Sequence, residues 1–312
     1  MYREYDKKTC PKCGGIELRK YGSNNLRKQR YQCKYCSAVF VLKQDLTSYI
    51  YQDYSLNHYT IPELAKKYRY SEHTIWRRLD TYKFNKPYRT NYTLSVNLVF
   101  DAFYLKRGYG WLVFRADGKT IHYNKITYES IDTIAANLSH LDRLGYEYKS
   151  ITIDGRKGVL AYLKVHYPNV PIQYCMFHQK QTIRQCLTNN PKTPCGQELK
   201  DIANHLKDYD TDSLLVRLNE LKQQYRDFLK ERNEEGRYMH RRVRRAIRSL
   251  YTNAPYLYTY KRYPELEIPT TTNSCDGYFS HIKTKLRVHS GLTAKHRDKL
   301  IEFMLNINFF GN

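Results

Sequence analysis

The spacing of apolar residues changes along the chain and divides it into stretches of different predicted structure. Between residues 46 and 84, apolar side chains recur at helical intervals, as at Ile61, Leu64 and Tyr68. This spacing places them on one face of a helix. From Ser95 onward the pattern becomes short runs of β-branched and aromatic residues, which is typical of buried strands. The pattern therefore predicts a helical segment followed by a sheet.

Two short helices are predicted inside the first of these stretches. Thr60 is the expected N-cap of one, with Glu63 three residues later, and Ser71 is the expected N-cap of the next. Two short helices joined by a tight turn fit a helix-turn-helix DNA-binding domain, here residues 46–90 with a linker at 86–89. An ordinary helical hairpin is the alternative. The candidate DNA contacts lie on the exposed face of the second helix: His73, Arg77 and Arg78.

The second stretch predicts an α/β fold with a mixed sheet. Its predicted strands are, in order, Val96–Asp101, Trp111–Ala116, Lys119–Thr127, Ser150–Asp154 and Pro171–Tyr174. Helices are predicted at Glu129–Leu144 and Gly155–His166, before and after the fourth strand. Residues 187–268 are mostly helical in pattern. This order predicts a sheet core that a helical segment follows.

Two aspartates are placed at the ends of predicted strands. Asp101 closes the first strand and Asp154 closes the fourth, where Gly155 begins a turn. If these strands are neighbours, the two carboxylates lie side by side, and a rigid strand end is a common place for a metal ligand. A structural role is the alternative, because an aspartate in this position often caps the next helix or makes a turn. The residues alone leave both explanations open.

Residues 1–45 contain two Cys-x-x-Cys pairs. Each pair can supply two thiolates to one Zn²⁺, and two pairs complete a tetrahedral four-sulfur site. The metal would hold together a module too small to fold on its own core, which predicts a structural zinc ribbon. Two separate redox or free-thiol pairs are the alternative. The predicted zinc ligands are Cys10, Cys13, Cys33 and Cys36.

The charge of the chain favours a polyanionic partner. The sequence has 53 lysines and arginines against 30 acidic residues, a formal net charge of +23. Nucleic acid fits such an excess better than acidic protein or membrane does. An arginine-rich segment, residues 237–248, places Arg237 and Arg248 on one predicted helix face together with three candidate phosphate contacts. The alternative is an ordinary solvent-exposed helix face that makes no DNA contact. The three candidates are Arg241, Arg244 and Arg245.

The sequence gives no sign of a membrane segment. No run approaches the roughly 18 apolar residues of a spanning helix. The N-terminal residues also lack the apolar core of a signal peptide. We therefore expect a cytoplasmic protein without a membrane partner, in which paired cysteines are metal ligands rather than disulfides.

Several segments together resemble a family. The predicted strand order, with acids ending the first and fourth strands, resembles the ribonuclease-H-like core of DDE/DDD transposases. The Cys-x-x-His formed by Cys175 and His178 is similar to a motif of the Mutator-like branch, and residues 271–283 resemble the last block of that branch. The N-terminal part is similar to the DNA-binding front end of bacterial insertion-sequence transposases. One position departs from the family, because Asp276 stands where most relatives carry glutamate.

The resemblance implies a domain order and a reaction. A zinc ribbon and a helix-turn-helix domain would precede a catalytic core at residues 91–188 and 269–312, interrupted by a helical insertion at 189–268. Two Mg²⁺ or Mn²⁺ ions held by carboxylates would support cleavage and transfer of DNA strands. The protein would act near the bacterial nucleoid on double-stranded DNA, namely its element's terminal repeats and the target. It would assemble there as a homodimer or a larger complex. The implied catalytic and magnesium-binding residues are Asp101, Asp154 and Asp276.

Other positions have competing interpretations. Cys175 and His178 would support the active centre if the resemblance holds, but a buried thiol and a hydrogen-bonded imidazole explain them equally well. Asp276 has a rival role as a helix-capping residue, with Glu265 and Glu267 as competing metal donors. Two cations on the helical face of Asp276 are candidate DNA contacts: Lys283 and Arg287. A non-enzymatic DNA-binding regulator and a ribonuclease-H-like nuclease are the alternative functions.

Overall fold

The computed structural model describes residues 9–25, 28–41, 46–57, 59–82 and 94–310 of the 312 in the sequence. The chain divides into two compact units after Tyr82. The two small domains expected before residue 90 therefore fall within one unit. The predicted linker at 86–89 lies outside the described residues. None of the described helices is long and apolar enough to cross a membrane.

The first unit begins with a small antiparallel sheet of strands β1, β2 and β3. These strands are Leu18–Ser23, Gln29–Cys33 and Val39–Val41. β1 pairs with β2 and β2 pairs with β3, both antiparallel. The strands are short, β1 is largely exposed, β2 and β3 are mostly half-buried, and Cys33 is the one buried residue of the three strands. Such a sheet has too little apolar area to be stable alone.

Three helices follow in the same unit: α1 (Thr47–Ser55), α2 (Ile61–Tyr68) and α3 (Glu72–Thr81). The capping box of Thr60 and Glu63 begins α2, and the Ser71 hydroxyl accepts a hydrogen bond from the backbone of Thr74 at the start of α3. Arg69 ends α2 with a left-handed backbone conformation, φ 55°. Ile75 and Leu79 are buried, as the apolar spacing predicted. The sequence thus correctly predicted a pair of short helices joined by a tight turn.

A mixed five-stranded sheet organises the second unit. Its strands are β4 (Leu94–Lys106), β5 (Tyr109–Ala116), β6 (Lys119–Ile126), β7 (Tyr146–Ile153) and β8 (Ile172–Tyr174). Their order in the sheet is β6-β5-β4-β7-β8. The first three strands in sequence are antiparallel neighbours, whereas β7 and β8 run parallel to β4. The predicted α/β class and mixed sheet are confirmed.

The prediction that Asp101 ends its strand is wrong. β4 continues to Lys106, and Asp101 pairs with Val113 of β5. The parallel pairing with β7, however, stops at Val99 and Thr152. Asp101 is therefore placed where β4 has lost its partner on one side and keeps it on the other. Its backbone thus stays paired with β5 beyond the point where pairing with β7 ends.

The remaining elements are helices. Those before the arginine-rich segment are α4 (Ile131–Arg143), α5 (Lys157–His166), α6 (Met176–Leu187), α7 (Pro194–Asn204), α8 (Thr211–Gln224) and α9 (Arg226–Lys230). Those after it are α10 (Arg241–Leu257), α11 (Thr259–Arg262), α12 (Asn273–Val288) and α13 (Ala294–Phe310). The helical prediction for residues 187–268 is confirmed. Arg237 precedes α10 and belongs to a small bridge region, so its predicted place on that helix is wrong.

The two faces of the sheet have different cores, and this decides where the polar groups lie. Leu98 and Phe100 of β4 belong to the larger core, which includes buried residues of α4, α5 and α10. Val99 and Phe103 belong to a second core that α12 and α13 complete. Successive residues of a strand point to opposite faces, so Asp101 lies on the α12 face with Val99. Phe279 and Ile282 of α12 are buried on this face and seat the helix against the sheet.

Candidate metal centres and acidic site

The four cysteines of the first unit converge into one cluster. The Sγ atoms of Cys10 and Cys36 are 3.5 Å apart, and those of Cys13 and Cys33 are 3.6 Å apart. A tetrahedral zinc site with Zn–S bonds of about 2.3 Å has sulfurs about 3.8 Å apart. All four ligand atoms lie within 4.8 Å of one another. The geometry therefore fits four thiolates around one metal ion.

Backbone amides prepare this cluster for a metal. Burial alone would raise the pKa of Cys10, but hydrogen bonds from the backbone of Cys13 and Lys12 outweigh it and lower the pKa to about 7. The Lys12 amide donates to Cys10 Sγ over 3.4 Å. Gly14 follows with a positive φ of 73°, the conformation that lets the chain turn after the pair. The loop is thus shaped to stabilise the Cys10 thiolate, whereas the pKa of Cys13 is lowered by the Gly15 backbone but raised overall, to about 12, by Cys36, burial and Cys33.

A second cluster forms on the α12 face of the sheet. It consists of Asp101 on β4, His178 on α6 and Asp276 on α12, whose ligand atoms lie within 4.8 Å of one another. The Nε2 atom of His178 is 3.9 Å from Oδ2 of Asp101. The structure therefore brings the first and third predicted acids together with the predicted supporting histidine.

A buried thiol fixes the two helices that carry this cluster. Cys175 Sγ accepts hydrogen bonds from the backbone amides of Thr272 (3.2 Å) and His178 (3.5 Å). Cys175 is also the N-cap of α6, and Thr272 is the N-cap of α12. One sulfur atom therefore ties the beginnings of both helices together. Each interpretation of the Cys-x-x-His motif describes one of its residues. The Cys175 thiol is buried and structural, whereas the His178 imidazole faces the acids.

Thr272 was missed by the sequence analysis. Its side chain is fully buried, and its hydroxyl lies 3.3 Å from His178 Nδ1 and 3.2 Å from Asp276 Oδ2. The same hydroxyl is 3.4 Å from the Cys175 sulfur. It contacts His178 at the ring nitrogen opposite the one that approaches Asp101, and its contacts help to fix the orientation of both His178 and Asp276. Its neighbour Thr271 resembles it in sequence, and only the fold distinguishes them.

Asp154 lies next to the cluster but outside its tight group. Continuing the parallel register two residues beyond Val99 and Thr152 places Asp101 opposite Asp154, on strands about 4.8 Å apart. The carboxylate of Asp154 is bonded to Arg156 instead, with Nε 2.8 Å from Oδ2. The structure thus brings the second predicted acid, Asp154, to the same edge of the sheet, where it is bonded to a guanidinium.

Arg156 also binds an acid that the sequence analysis did not single out. Its Nη2 atom is 2.7 Å from Glu129 Oε2, and the Glu129 side chain is only 5% exposed. Burial raises the pKa of Glu129 to about 7, against the lowering effect of Arg156, and Asp154 and Asp101 raise it further. Glu129 therefore belongs electrostatically to the acidic site. Its place between a strand and the N-cap Ser130 gave no signal, because acids are common near helix starts.

The acids repel one another in a poorly solvated place. Burial raises the pKa of Asp101 to about 6, although His178 lowers it, and the charges of Asp276 and Asp154 raise it. The interaction with Cys175 raises the pKa of His178 to about 9, with Asp101 and Asp276 adding to the effect. A positive imidazole therefore balances part of the acidic charge. Such a concentration of carboxylates is what a divalent ion neutralises.

The donor atoms of this site suit particular metals. Carboxylate oxygens are the preferred ligands of Mg²⁺ and Mn²⁺. Glu265 and Glu267, the competing donors, are exposed and are not members of the cluster. Asp276 has a hydrogen bond from the N-cap hydroxyl of its helix, yet its carboxylate still lies with Asp101 and His178. The residues present therefore fit a divalent ion held mainly by oxygen.

Not all of the candidate DNA contacts are equally available. His73 and Arg77 are exposed on α3, but Arg78 donates to Thr47 Oγ1 over 3.0 Å and lies against the Tyr70 ring. Arg78 therefore connects α3 to α1. The expectation that it is as free as its neighbours is wrong.

In the second unit, too, some candidate DNA contacts are exposed and another is occupied by contacts within the protein. Arg244 donates to the Leu229 carbonyl over 2.7 Å and stacks on Tyr238. Arg241 and Arg245 are exposed, as are Lys283 and Arg287 on α12. A groove of about 610 Å³ follows α10, and its lining includes five cations and no acid. These cations are Lys222, Arg241, Arg244, Arg245 and Arg248.

Neither a scan against protein-family models nor a search of curated proteins finds a match for this chain. The case for a function depends on the geometry of the two clusters and of the basic surfaces.

Proposed function

We propose that this protein is a DNA transposase that cleaves and transfers DNA strands with divalent metal ions. The observation that carries the proposal is the meeting of Asp101, His178 and Asp276 on one face of the sheet, with Asp154 at the neighbouring strand end. These residues come from distant parts of the sequence. Buried acids of like charge are costly for the fold, so their convergence favours a role in function.

The sheet supports a ribonuclease-H-like core. Three antiparallel strands followed by two parallel ones, in the order β6-β5-β4-β7-β8, agree with the arrangement expected from the resemblance. The acids occupy adjacent central strands and a helix that returns to them late in the sequence. Residues 194–262 contribute α7 to α11 between these parts, as an insertion would. The sheet topology and the acid positions thus favour the same kind of enzyme.

The roles of the residues follow from their positions. Divalent ions bound here would supply Lewis-acid activation of the attacking oxygen and stabilisation of the leaving oxygen. Asp101, in the middle, is placed to share its carboxylate between the side of Asp276 and the side of Asp154. His178 lies against the Asp101 carboxylate, and the Thr272 hydroxyl holds His178 and Asp276 in orientation. The nucleophile is water in cleavage and a DNA 3′-hydroxyl in transfer.

DNA binding is assigned to separate basic surfaces. His73 and Arg77, exposed on α3, are proposed to reach base edges in the major groove. The groove along α10, with Arg241 and Arg245 exposed, is proposed to contact phosphates. The four-cysteine cluster would hold one structural Zn²⁺ in the first unit. Lys283 and Arg287 would provide further phosphate contacts that continue from the acidic site. The active complex would contain two or more chains.

The experiment is a comparison of charge-neutralising variants. A plasmid that carries the gene with its flanking DNA is incubated with the protein and Mg²⁺ or Mn²⁺, and nicked and joined products are resolved on gels. Asp276→Asn keeps the shape of the side chain but removes the charge, so we expect it to abolish cleavage as completely as Asp101→Asn and Asp154→Asn. Folding and DNA binding should stay near wild type.

Three results would lead elsewhere. Near-normal cleavage by Asp276→Asn would assign this residue to the helix start and contradict the proposed catalytic set. Sequence-specific binding by the wild-type protein without any metal-dependent cleavage would favour a regulator. Cleavage of RNA or hybrid strands without joining would favour a nuclease.

A further inference from the structure

The Arg156 guanidinium joins two acids that belong to the edge of the catalytic site. Its Nε atom lies 2.8 Å from Asp154 Oδ2, and its Nη2 atom lies 2.7 Å from Glu129 Oε2. Arg156 itself is 45% exposed, whereas the Glu129 side chain is 5% exposed. The guanidinium therefore has a fixed, buried partner on one side and a more accessible partner on the other.

The Asp154 carboxylate is also the proposed metal ligand that is missing from the tight group of Asp101, His178 and Asp276. Arg156 occupies one of its two oxygens. A divalent ion and a guanidinium compete for the same carboxylate, because both need its charge and its lone pairs. Asp154, whose carboxylate would complete the acidic site, is thus already bound to Arg156.

We propose that Arg156 is a removable cation at the second metal position. Glu129 is the residue that keeps Arg156 bound when the ion takes its place on Asp154. This inference rests on the proposed metal-dependent function. Before metal binds, Arg156 offsets the repulsion between Asp154, Glu129 and Asp101. When an ion binds, Arg156 gives up its bond to Asp154 and stays paired with Glu129, so no buried acid loses its counter-charge.

The proposal gives the two partners of one ion pair opposite roles. Arg156 competes with the metal, so its neutral replacement should strengthen metal binding. Glu129 draws Arg156 away from Asp154, so its neutral replacement should leave Arg156 bound to Asp154 alone and weaken metal binding. A salt bridge that only stabilises the local fold predicts a different pattern, in which loss of either partner disturbs Asp154 in the same direction.

The test measures Mn²⁺ binding to the zinc-loaded, full-length protein without DNA. Electron paramagnetic resonance counts the free Mn²⁺ that remains in a titration, so the readout does not depend on catalysis. For Arg156→Gln we expect binding about tenfold tighter at the weaker site, because a unit charge at contact distance is removed. For Glu129→Gln we expect binding weaker by about the same factor. Arg156→Lys keeps the charge and should stay within about threefold of wild type.

A matched control lies elsewhere in the same unit. Arg217 Nη2 is 3.0 Å from Glu198 Oε2, in an ion pair between α8 and α7. Arg217→Gln and Glu198→Gln should leave Mn²⁺ binding unchanged. Thermal unfolding of every variant checks that the fold is intact at the titration temperature.

The outcomes separate this inference from the proposed function. If Asp101→Asn binds Mn²⁺ as the wild type does, the acidic cluster is not a metal site, and both proposals are overturned. If Asp101→Asn loses binding but Arg156→Gln and Glu129→Gln shift it in the same direction, or not at all, only the removable-cation inference is overturned. Opposite shifts of the two variants support it.

Discussion

The Thr272 hydroxyl offers a sharp test of how the acidic site is held. Thr272→Val keeps the branched shape of the side chain and removes only the hydroxyl, which lies 3.2 Å from Asp276 Oδ2 and 3.3 Å from His178 Nδ1. The backbone amide of Thr272 still donates to Cys175 Sγ, so the start of α12 keeps its attachment. The variant therefore separates the orientation of the two ligands from the position of the helix.

The expected magnitude follows from burial. Thr272 is fully buried, and removing its hydroxyl leaves the protonated His178 Nδ1 without an acceptor and Asp276 Oδ2 without this donor, which costs about 1–3 kcal/mol of stability. Because the second unit is large, each kcal/mol lowers the melting temperature by about 2–4 °C. Loss of a group that orients metal ligands typically lowers metal affinity or activity by about 10–100-fold. We expect both effects together.

Thr271→Val is the matched control. The Thr271 hydroxyl is 3.3 Å from the backbone amide of Asn273 and makes no contact with the acids that the structure describes. Metal-dependent nicking of the plasmid and differential scanning calorimetry are measured for both variants in parallel. Equal nicking rates for Thr272→Val and Thr271→Val would refute the orienting role of Thr272, even if Thr272→Val were the less stable of the two.

Three further predictions concern the metal cluster and the DNA contacts. Cys33→Ser should release zinc and unfold residues 1–45, and elemental analysis that finds zinc retained would contradict the four-cysteine site. Arg77→Ala should weaken binding to the specific duplex by roughly 1–3 kcal/mol and relax sequence preference, as measured by fluorescence anisotropy against a scrambled duplex. Arg245→Ala should weaken both duplexes alike and lower the salt-dependence slope by about one. A loss confined to the specific duplex would make Arg245 a base-reading residue instead.

Local patterns predicted much of this structure because their causes are local. The capping box of Thr60 and Glu63 and the apolar spacing of Ile75 and Leu79 are set by neighbouring residues, and the helices begin and pack as predicted. The two Cys-x-x-Cys pairs also specify their own geometry. Such features can be found in a sequence because the residues that produce each of them lie within a few positions of one another.

The errors arise where a distant element decides the outcome. The strand of Asp101 continues beyond it because β5 supplies a partner as far as Lys106, a pairing that apolar spacing does not reveal. Arg78 is occupied by Thr47, a residue of another helix. Glu129 and Thr272 become part of the site only through folding: Glu129 belongs to no recognisable motif, and the resemblance of residues 271–283 to a family block does not distinguish Thr272 from Thr271. The sequence thus identified the acids, while the groups that hold them required the structure.

The separation in sequence between the acids has a consequence for when the site forms. Asp101 and Asp154 belong to strands that pair early in the chain, but Asp276 reaches them only after the helical insertion has folded and α12 has returned to the sheet. Closing so long a loop costs entropy that local contacts do not repay, which makes this contact a late one. An emerging chain therefore has the basic groove along α10 before it has a complete acidic centre. Under the proposed function, that intermediate would have phosphate-binding cations without the means to cut DNA.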